Sequence, residues 1–337
     1  MAATITTIIP TFRRPIALRR ALQSVLAQTY GDLRACVYDN ASGDETREMV
    51  TALAQTDPRI SYTLRAANVG AAENFILAAA DVDTPFVSFL SDDDRLLPGF
   101  FAAAMRELVR HPEAGLFAGS TLELDASESV RYAPLALWPR EGLYEPAEAL
   151  LRMLGNRHPT WTGIVFRSDA LTRSGGLDRA ASMALDLDAE LRVAARYPIV
   201  VSFAPCAIYA PHGGSFSAGE TPAVIPAYER IIANIEAVET LPAAVRRRAV
   251  ERLQRQLRMK LVEIAVKAQV RGDRGIASDA GAVLNAKGGR WLSLGLTWLD
   301  RVCARVPVAR RALGWLDSTR LKVRAARAQR FEKRHRR

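Results

Sequence analysis

The densest chemistry in the chain is Asp92-Asp93-Asp94, three carboxylates in a row between Ser91 and Arg95. Side by side they repel one another. At the end of a buried segment they persist only if a cation neutralises them, most simply a hard divalent ion with oxygen ligands. Such an ion could hold phosphates. A solvated acidic turn is the plain alternative. Two other polar groups invite the same question, Asp39-Asn40-Ala41-Ser42 and Asn68-Val69-Gly70.

The elements around these groups decide what they can do together. Residues 4–9 are β-branched and apolar, so they read as a strand that ends at Pro10-Thr11. Pro15 suits a first helical turn. Leu18, Ala21, Leu22, Val25 and Leu26 then recur at helical spacing. Residues 33–38 form a second strand, and Asp44 can cap the helix that follows. Residues 60–65 form a third strand, and an alanine-rich helix runs over 71–80. Residues 86–90 form a fourth strand, which delivers the acidic triplet. This alternation predicts a parallel sheet covered by helices. Ligands bind such sheets at the carboxyl ends of the strands. Asp39, Asn68 and Asp92 to Asp94 all fall there.

The second half reads as mixed. A helix over 100–110, a strand over 116–124 and a loop-rich stretch over 125–145 lead to a helix over 145–154. A strand over 161–167, a turn at Gly175-Gly176 and a helix opening at Asp186-Leu187-Asp188 follow. The last strand spans 199–208 and ends in Tyr209-Ala210-Pro211-His212-Gly213. After about residue 217 the pattern becomes helical, with an apolar stripe at Leu253, Leu257, Leu261, Ile264 and Ala268.

Charge separates the chain end from the rest. The formal net charge is +10, and residues 305–337 carry all of it; residues 1–304 are balanced. A local basic segment of this kind reads as a membrane-surface or other polyanion contact. No nucleic-acid partner is expected. Cys36, Cys206 and Cys303 are far apart, which disfavours a disulfide scaffold or a zinc site and suits a reducing compartment. No secretory leader and no membrane-spanning run is read in the chain. There is no Gly-rich dinucleotide fingerprint after the first strand and no P-loop.

The chain resembles the family 2 glycosyltransferases, which have a GT-A fold. The matching pieces are Ile9-Pro10-Thr11-Phe12-Arg13-Arg14-Pro15, then residues 21–30, Asp39-Asn40-Ala41-Ser42, Asn68-Val69-Gly70 with Asn74, and Ser91-Asp92-Asp93-Asp94 with Pro98. Their order and spacing carry the resemblance. It is strong over residues 4–100, looser over 101–215 and absent beyond.

The resemblance implies an α/β fold of GT-A type: a mostly parallel sheet covered by helices, with a C-terminal α-helical appendage. It makes residues 1–100 a nucleotide-sugar-binding half and 101–217 an acceptor-binding half; the helical pattern and the charge set off a third region with a basic tail (218–337). It implies that Pro10, Thr11 and Arg14 line the nucleotide pocket and that Asp39 accepts from a uracil imide. A carboxylate only accepts, which suits an imide donor. Arg65 and Asn68 would reach the base or phosphates, and Asp92 the ribose. Asp93 and Asp94 would hold Mg2+ or Mn2+, although Ser91 replaces the first acid of the usual pattern. His212 matches a late loop that closes over the diphosphate and would touch the metal. Asp186, with Asp188 second, matches the catalytic base; Leu185 stands where many relatives have Glu.

Taken together, the expectation is an inverting, metal-dependent enzyme that moves one sugar from a UDP-linked donor to a glycan or lipid-linked glycan. The processive Gln-x-x-Arg-Trp pattern is absent. The enzyme would be cytoplasmic, held at the inner membrane face by residues 291–337 through Trp291, Trp298, Trp315 and the basic segment. Rival readings are a nucleotidyltransferase of similar fold, which lacks its Gly-rich loop here, a nucleic-acid-binding protein acting through the tail, and a non-catalytic sugar-nucleotide binder.

Overall fold

The structure is a computed structural model. It describes residues 4–124, 129–155, 157–209, 224–271, 273–289, 292–296, 322–323 and 325–335. The first half alternates as its hydrophobic pattern requires: β1 (Ile5–Thr11), α1 (Pro15–Leu26), β2 (Leu33–Asp39), α2 (Thr46–Ala54), β3 (Ile60–Leu64), α3 (Ala71–Ala80) and β4 (Phe86–Phe89). Asp44 accepts from the Thr46 backbone N–H at 3.0 Å, so it does secure the start of α2. A two-residue strand, β5 (Arg95–Leu96), and α4 (Phe100–Arg110) close this half.

The second half contributes β6 (Leu116–Leu124), β7 (Val130–Tyr132), β8 (Gly142–Tyr144), α5 (Pro146–Met153), β9 (Ile164–Arg167), α6 (Ser168–Arg173), α7 (Leu185–Ala194) and β10 (Ile199–Tyr209). Three helices follow: α8 (Val224–Glu236), α9 (Ala243–Arg271) and α10 (Arg274–Ala286). A further helical stretch occupies 325–335.

All the described strands join one sheet. Its main order is β3-β2-β1-β4-β9-β6-β10-β5, with β7 on β6 and β8 on β10. β3, β2, β1 and β4 run parallel. β9 enters antiparallel between β4 and β6, and β10 returns parallel to β6.

Strand residues alternate between two apolar layers, as a period of two demands. Ile5, Ile9, Phe86, Leu90, Phe117 and Val200 pack with α1, α2 and α4. Ile8, Val87, Phe89, Leu116, Phe166 and Val201 face α3, α5, α7 and α8. The stripe Leu253, Leu257, Leu261 and Ile264 of α9 belongs to this second cluster. The C-terminal helices therefore share a core with the sheet.

The stretch expected as loop over 125–145 contains β7, β8 and a 3₁₀ turn at Pro134–Leu137. Both strands are three residues long and exist by pairing with β6 and β10. The helix over 325–335 also docks on this region. Ala328 and Phe331 pack on Leu122, Val130 and Ala133, and the Phe331 ring lies 5.2 Å from that of Phe203.

Candidate active site

A cleft of about 530 Å³ opens at the carboxyl ends of β1 and β4 and is closed on the far side by the start of α7. Pro10, Thr11 and Arg14 line it from the end of β1 and the start of α1. Asn68 lines it from the turn after β3, Asp92 to Asp94 from the end of β4, and Asp186 from the first turn of α7.

The acidic triplet is held as a buried polar cluster. Asp92 is 6% exposed and Asp94 2% exposed, so neither is a solvated turn residue. The Thr11 hydroxyl donates to Asp92 at 2.8 Å. One guanidinium nitrogen of Arg14 reaches Asp92 at 3.2 Å and Asp93 at 3.1 Å. Burial pushes the Asp92 carboxyl above its ordinary range, while Thr11 and Arg14 draw it back. Thr162 donates a short hydrogen bond to Asp94 from the opposite half of the fold.

Loops beside the triplet are pinned by asparagines. Asn40 donates to the Asn68 side chain at 2.9 Å and accepts from the Val69 N–H at 2.9 Å. Asn68 also accepts from the Gly70 N–H. Gly70, at φ 87°, takes a left-handed conformation that leads straight into α3. These contacts tie the end of β2 to the start of α3 at the cleft edge.

Asp39 lies behind this edge, 1% exposed. It accepts from the Ser42 N–H at 2.9 Å and from the Tyr62 hydroxyl at 2.6 Å. Burial and that hydrogen bond push the Tyr62 hydroxyl up, so it remains a donor. Arg65 does not reach the cleft. Its guanidinium stacks 5.1 Å over Tyr38 and donates to Asn74, which itself lines the cleft.

Asp188 also points away from the cleft. It is fully buried, ion-paired with Arg192 at 2.7 Å, and accepts from Asn234 at 2.8 Å. Arg192 donates in addition to the carbonyls of Ser174 and Gly176. Asp188 thus locks α7 to α8 and to the turn before it, which leaves Asp186 as the acid facing the cleft.

Glu190 is likewise buried. Its carboxylate meets His158 at 3.1 Å, and its other oxygen has no partner among the described residues. Burial works against the His158 imidazolium, but the bond to Glu190 outweighs it and holds that group at about 9. Burial raises Glu190 to about 7. Asp186 contributes to both shifts, so the three groups sense one another.

Trp161, expected to start a strand, lies in a 3₁₀ turn over Trp161–Gly163. It is a core residue, 4.3 Å from the Phe89 ring, and also lines the cleft. Gly163 must stay small: a Cβ would meet the Thr121 hydroxyl at 2.4 Å and the Gly119 carbonyl at 2.8 Å. Ser182, at φ 43°, is a strained rim residue. Sequence reasoning passed over Thr162, Ser182 and Tyr209 as cleft residues, because no local pattern marks them. His212, Trp291, Trp298 and Trp315 lie outside the described residues.

Among the described residues no group of three or more His, Cys, Asp or Glu converges as a metal cage. The cleft suits a different kind of site. Mg2+ or Mn2+ takes one or two carboxylates and completes its shell with substrate phosphates and water. Asp93 and Asp94 offer hard oxygens on the cleft wall. Arg14 brings positive charge against two of the three acids and neutralises part of the cluster.

Comparison with known proteins bears on the family and the fold. The family model described as Glycosyl transferase family 2 matches residues 6–174, half of the chain. A stretch of 127 residues is 32% identical to the GalNAc(5)-diNAcBac-PP-undecaprenol beta-1,3-glucosyltransferase of Campylobacter jejuni, covering 37% of this chain and 41% of that one. A stretch of 111 residues is 34% identical to the succinoglycan biosynthesis protein ExoW of Rhizobium meliloti, covering 32% of this chain and 35% of that protein. The chain thus spans less than half the length of these curated relatives. Residues 1–349 of S. aureus TarS in complex with UDP-GlcNAc superpose with a TM-score of 0.67 at 15% identity, over 99% of this chain and 91% of that one. The mannosyltransferase PcManGT of Pyrobaculum calidifontis, in complex with GDP-Man and Mn2+, gives 0.56 at 17% identity, over 98% and 87%. The fold is that of the GT-A glycosyltransferases.

Proposed function

The chain belongs to glycosyl transferase family 2, and on that premise we propose that it moves one sugar from a UDP-linked donor to a glycan or lipid-linked glycan, with inversion, in bacterial surface polysaccharide assembly. The observation that carries this reading is the single cleft lined by Thr11, Arg14, Asp92 to Asp94 and, across from them, Asp186. Residues 1–100 supply the donor half and residues 101–217 the acceptor half.

In this reading Asp39 takes the uracil imide; a carboxylate keeps acceptor capacity beyond its bonds to Ser42 and Tyr62. Asp92 meets the ribose. Arg14 turns from the acids to the diphosphate once the donor enters. A divalent ion held by Asp93 and Asp94 would supply Lewis-acid stabilisation of the departing diphosphate. Asp186 takes the proton of the acceptor hydroxyl. The new bond from that oxygen to the anomeric carbon forms as the bond to the diphosphate breaks, and attack from the opposite face inverts the centre.

No described helix is long and apolar enough to cross a membrane. The proposed membrane contact is peripheral, through residues 291–337. It is supported by Arg327, Arg330, Lys333 and Arg334, exposed on the helix over 325–335. Because that helix docks on the sheet, charge reversal of these four residues tests the contact better than truncation. The variant is expected to leave anionic vesicles while the parent co-sediments.

The deciding experiment is a panel of nucleotide-sugars with Mn2+, read as thermal stabilisation. UDP-sugars are expected to raise the melting temperature of the parent and not of Asp94→Ala. Stabilisation by no UDP-sugar overturns the reading.

A further inference from the structure

One strongly charged patch lies outside the cleft. Residues 248, 252 and 256 form one ridge of α9, four residues apart. This ridge runs beside the end of α5 and the loop after it: Arg252 donates to the Leu151 carbonyl at 2.6 Å, and Gln256 accepts from the Gly155 N–H at 3.1 Å. Arg152 and Arg157 belong to that same end and loop, so four arginines gather there. Burial, then Arg248, Arg157 and Arg152 in that order, push Arg252 down, and no carboxylate counters them.

Ordinary structural roles account for part of the cluster. Arg252 satisfies a carbonyl at the C-terminus of α5. Arg152 is 3.6 Å from Glu148, which Arg140 also approaches at 3.4 Å. Arg157 and Arg248 are exposed, and neither role covers them. Glu251 is the nearest acid along α9 but sits a quarter-turn around the helix from Arg252.

The patch adjoins the acceptor wall. His158 follows Arg157 and pairs with Glu190, and Thr160 and Trp161 line the cleft. On the other side Gln256 donates to Tyr228, whose hydroxyl is close enough to Asp186 to feel its charge. An anionic group held by the arginines would therefore lie on the acceptor side of the base, away from the donor diphosphate.

We propose that Arg157, Arg248 and Arg252 form a phosphate-binding site for the acceptor, holding the diphosphate of a lipid-linked glycan while its hydroxyl reaches Asp186. This rests on the glycosyl-transfer reading above. Guanidinium groups suit it, because their paired N–H donors match phosphate oxygens.

The test titrates farnesyl diphosphate and, separately, inorganic pyrophosphate into the full chain in EDTA, with calorimetric readout. The parent is expected to bind both, the prenyl compound more tightly. Arg157→Gln with Arg248→Gln should weaken both by about 10- to 100-fold and flatten the salt dependence. Arg19→Gln with Arg20→Gln, a change of two exposed arginines on α1, should have no effect. No binding by the parent, equal binding by the Arg157/Arg248 variant, or an equal loss in the α1 control overturns the proposal. So does a variant that loses only anionic vesicles, since that outcome assigns the patch to the membrane surface. UDP binding with Mn2+ is measured on the same proteins. Its absence in all of them sinks the donor reading and leaves the arginine result standing.

Discussion

The two halves of the cleft are built on different principles. The half proposed to take the donor gathers its residues from consecutive strand ends: Thr11 after β1, Asn40 after β2, Asn68 after β3 and Asp92 to Asp94 after β4. Each lies where parallel alternation must deliver it. The half proposed to take the acceptor has no such series of strand ends and is held by contacts between separate elements. Thr162 bonds Asp94 across 68 residues, His158 bonds Glu190 across 32, and Asn234 bonds Asp188 across 46. A site made from strand ends is carried by topology, and one made from cross-contacts depends on each of its ties.

The sharpest way to break this contrast is Asp94→Ala, in the donor half. It is expected to abolish Mn2+-dependent binding of UDP and, because it also breaks the bond from Thr162, to lower the melting temperature somewhat. Unchanged calorimetric titration would remove the triplet from the donor site. Next comes Asp186→Asn, which should bind UDP as the parent does yet lose about 10²- to 10⁴-fold in turnover. Full turnover would move the base elsewhere.

Arg192→Met tests the dependence of the acceptor half on single ties. Removing one partner of a buried ion pair leaves Asp188 uncompensated and should cost about 3–5 kcal/mol in chemical denaturation. A loss below about 1 kcal/mol would show that Asp188 is not held as described. The smallest effect concerns the His158–Glu190 pair. Each folded-state value lies above the ordinary one, so each group contributes stability that is full at low pH. That stability is lost as the pH rises through about 7 for Glu190 and about 9 for His158. The melting temperature should therefore fall between about pH 4.5, where an ordinary glutamate loses its proton, and about pH 9 in the parent, and less so in Glu190→Gln. Parallel curves would dissociate the pair from the titration.

The same contrast explains what could be read from the letters alone. The order β1 to β4 and the sheet edge follow from local spacing, the resemblance singles out residues at that edge, and the structure brings Thr11, Arg14, Asn68 and the triplet together. Arg65 lies apart from the cleft lining because its partner, the Tyr38 ring, comes from a neighbouring strand. Asp186 ranks ahead of Asp188 only by the resemblance, and the helix supplies the physical reason: residues two apart are about 200° apart, so only one can face the cleft. β7 and β8 left no periodic signal in three residues each; their pairing partners create them. Thr162 carries no mark at all, since its only distinction is where Asp94 lies.

The docking of Ala328 and Phe331 on Leu122, Val130 and Ala133 has a consequence for how the protein is made. On the ribosome, β6, β7 and β10 emerge well before the helix that covers their outer edge. Between Tyr209 and Phe331 lie roughly 120 residues, or about 6–24 seconds of synthesis at ordinary rates of 5–20 residues per second. Through that interval the nascent chain carries a nearly finished catalytic body with an apolar edge still open. That edge is the place where a chaperone would engage it, and where a stalled chain would first aggregate.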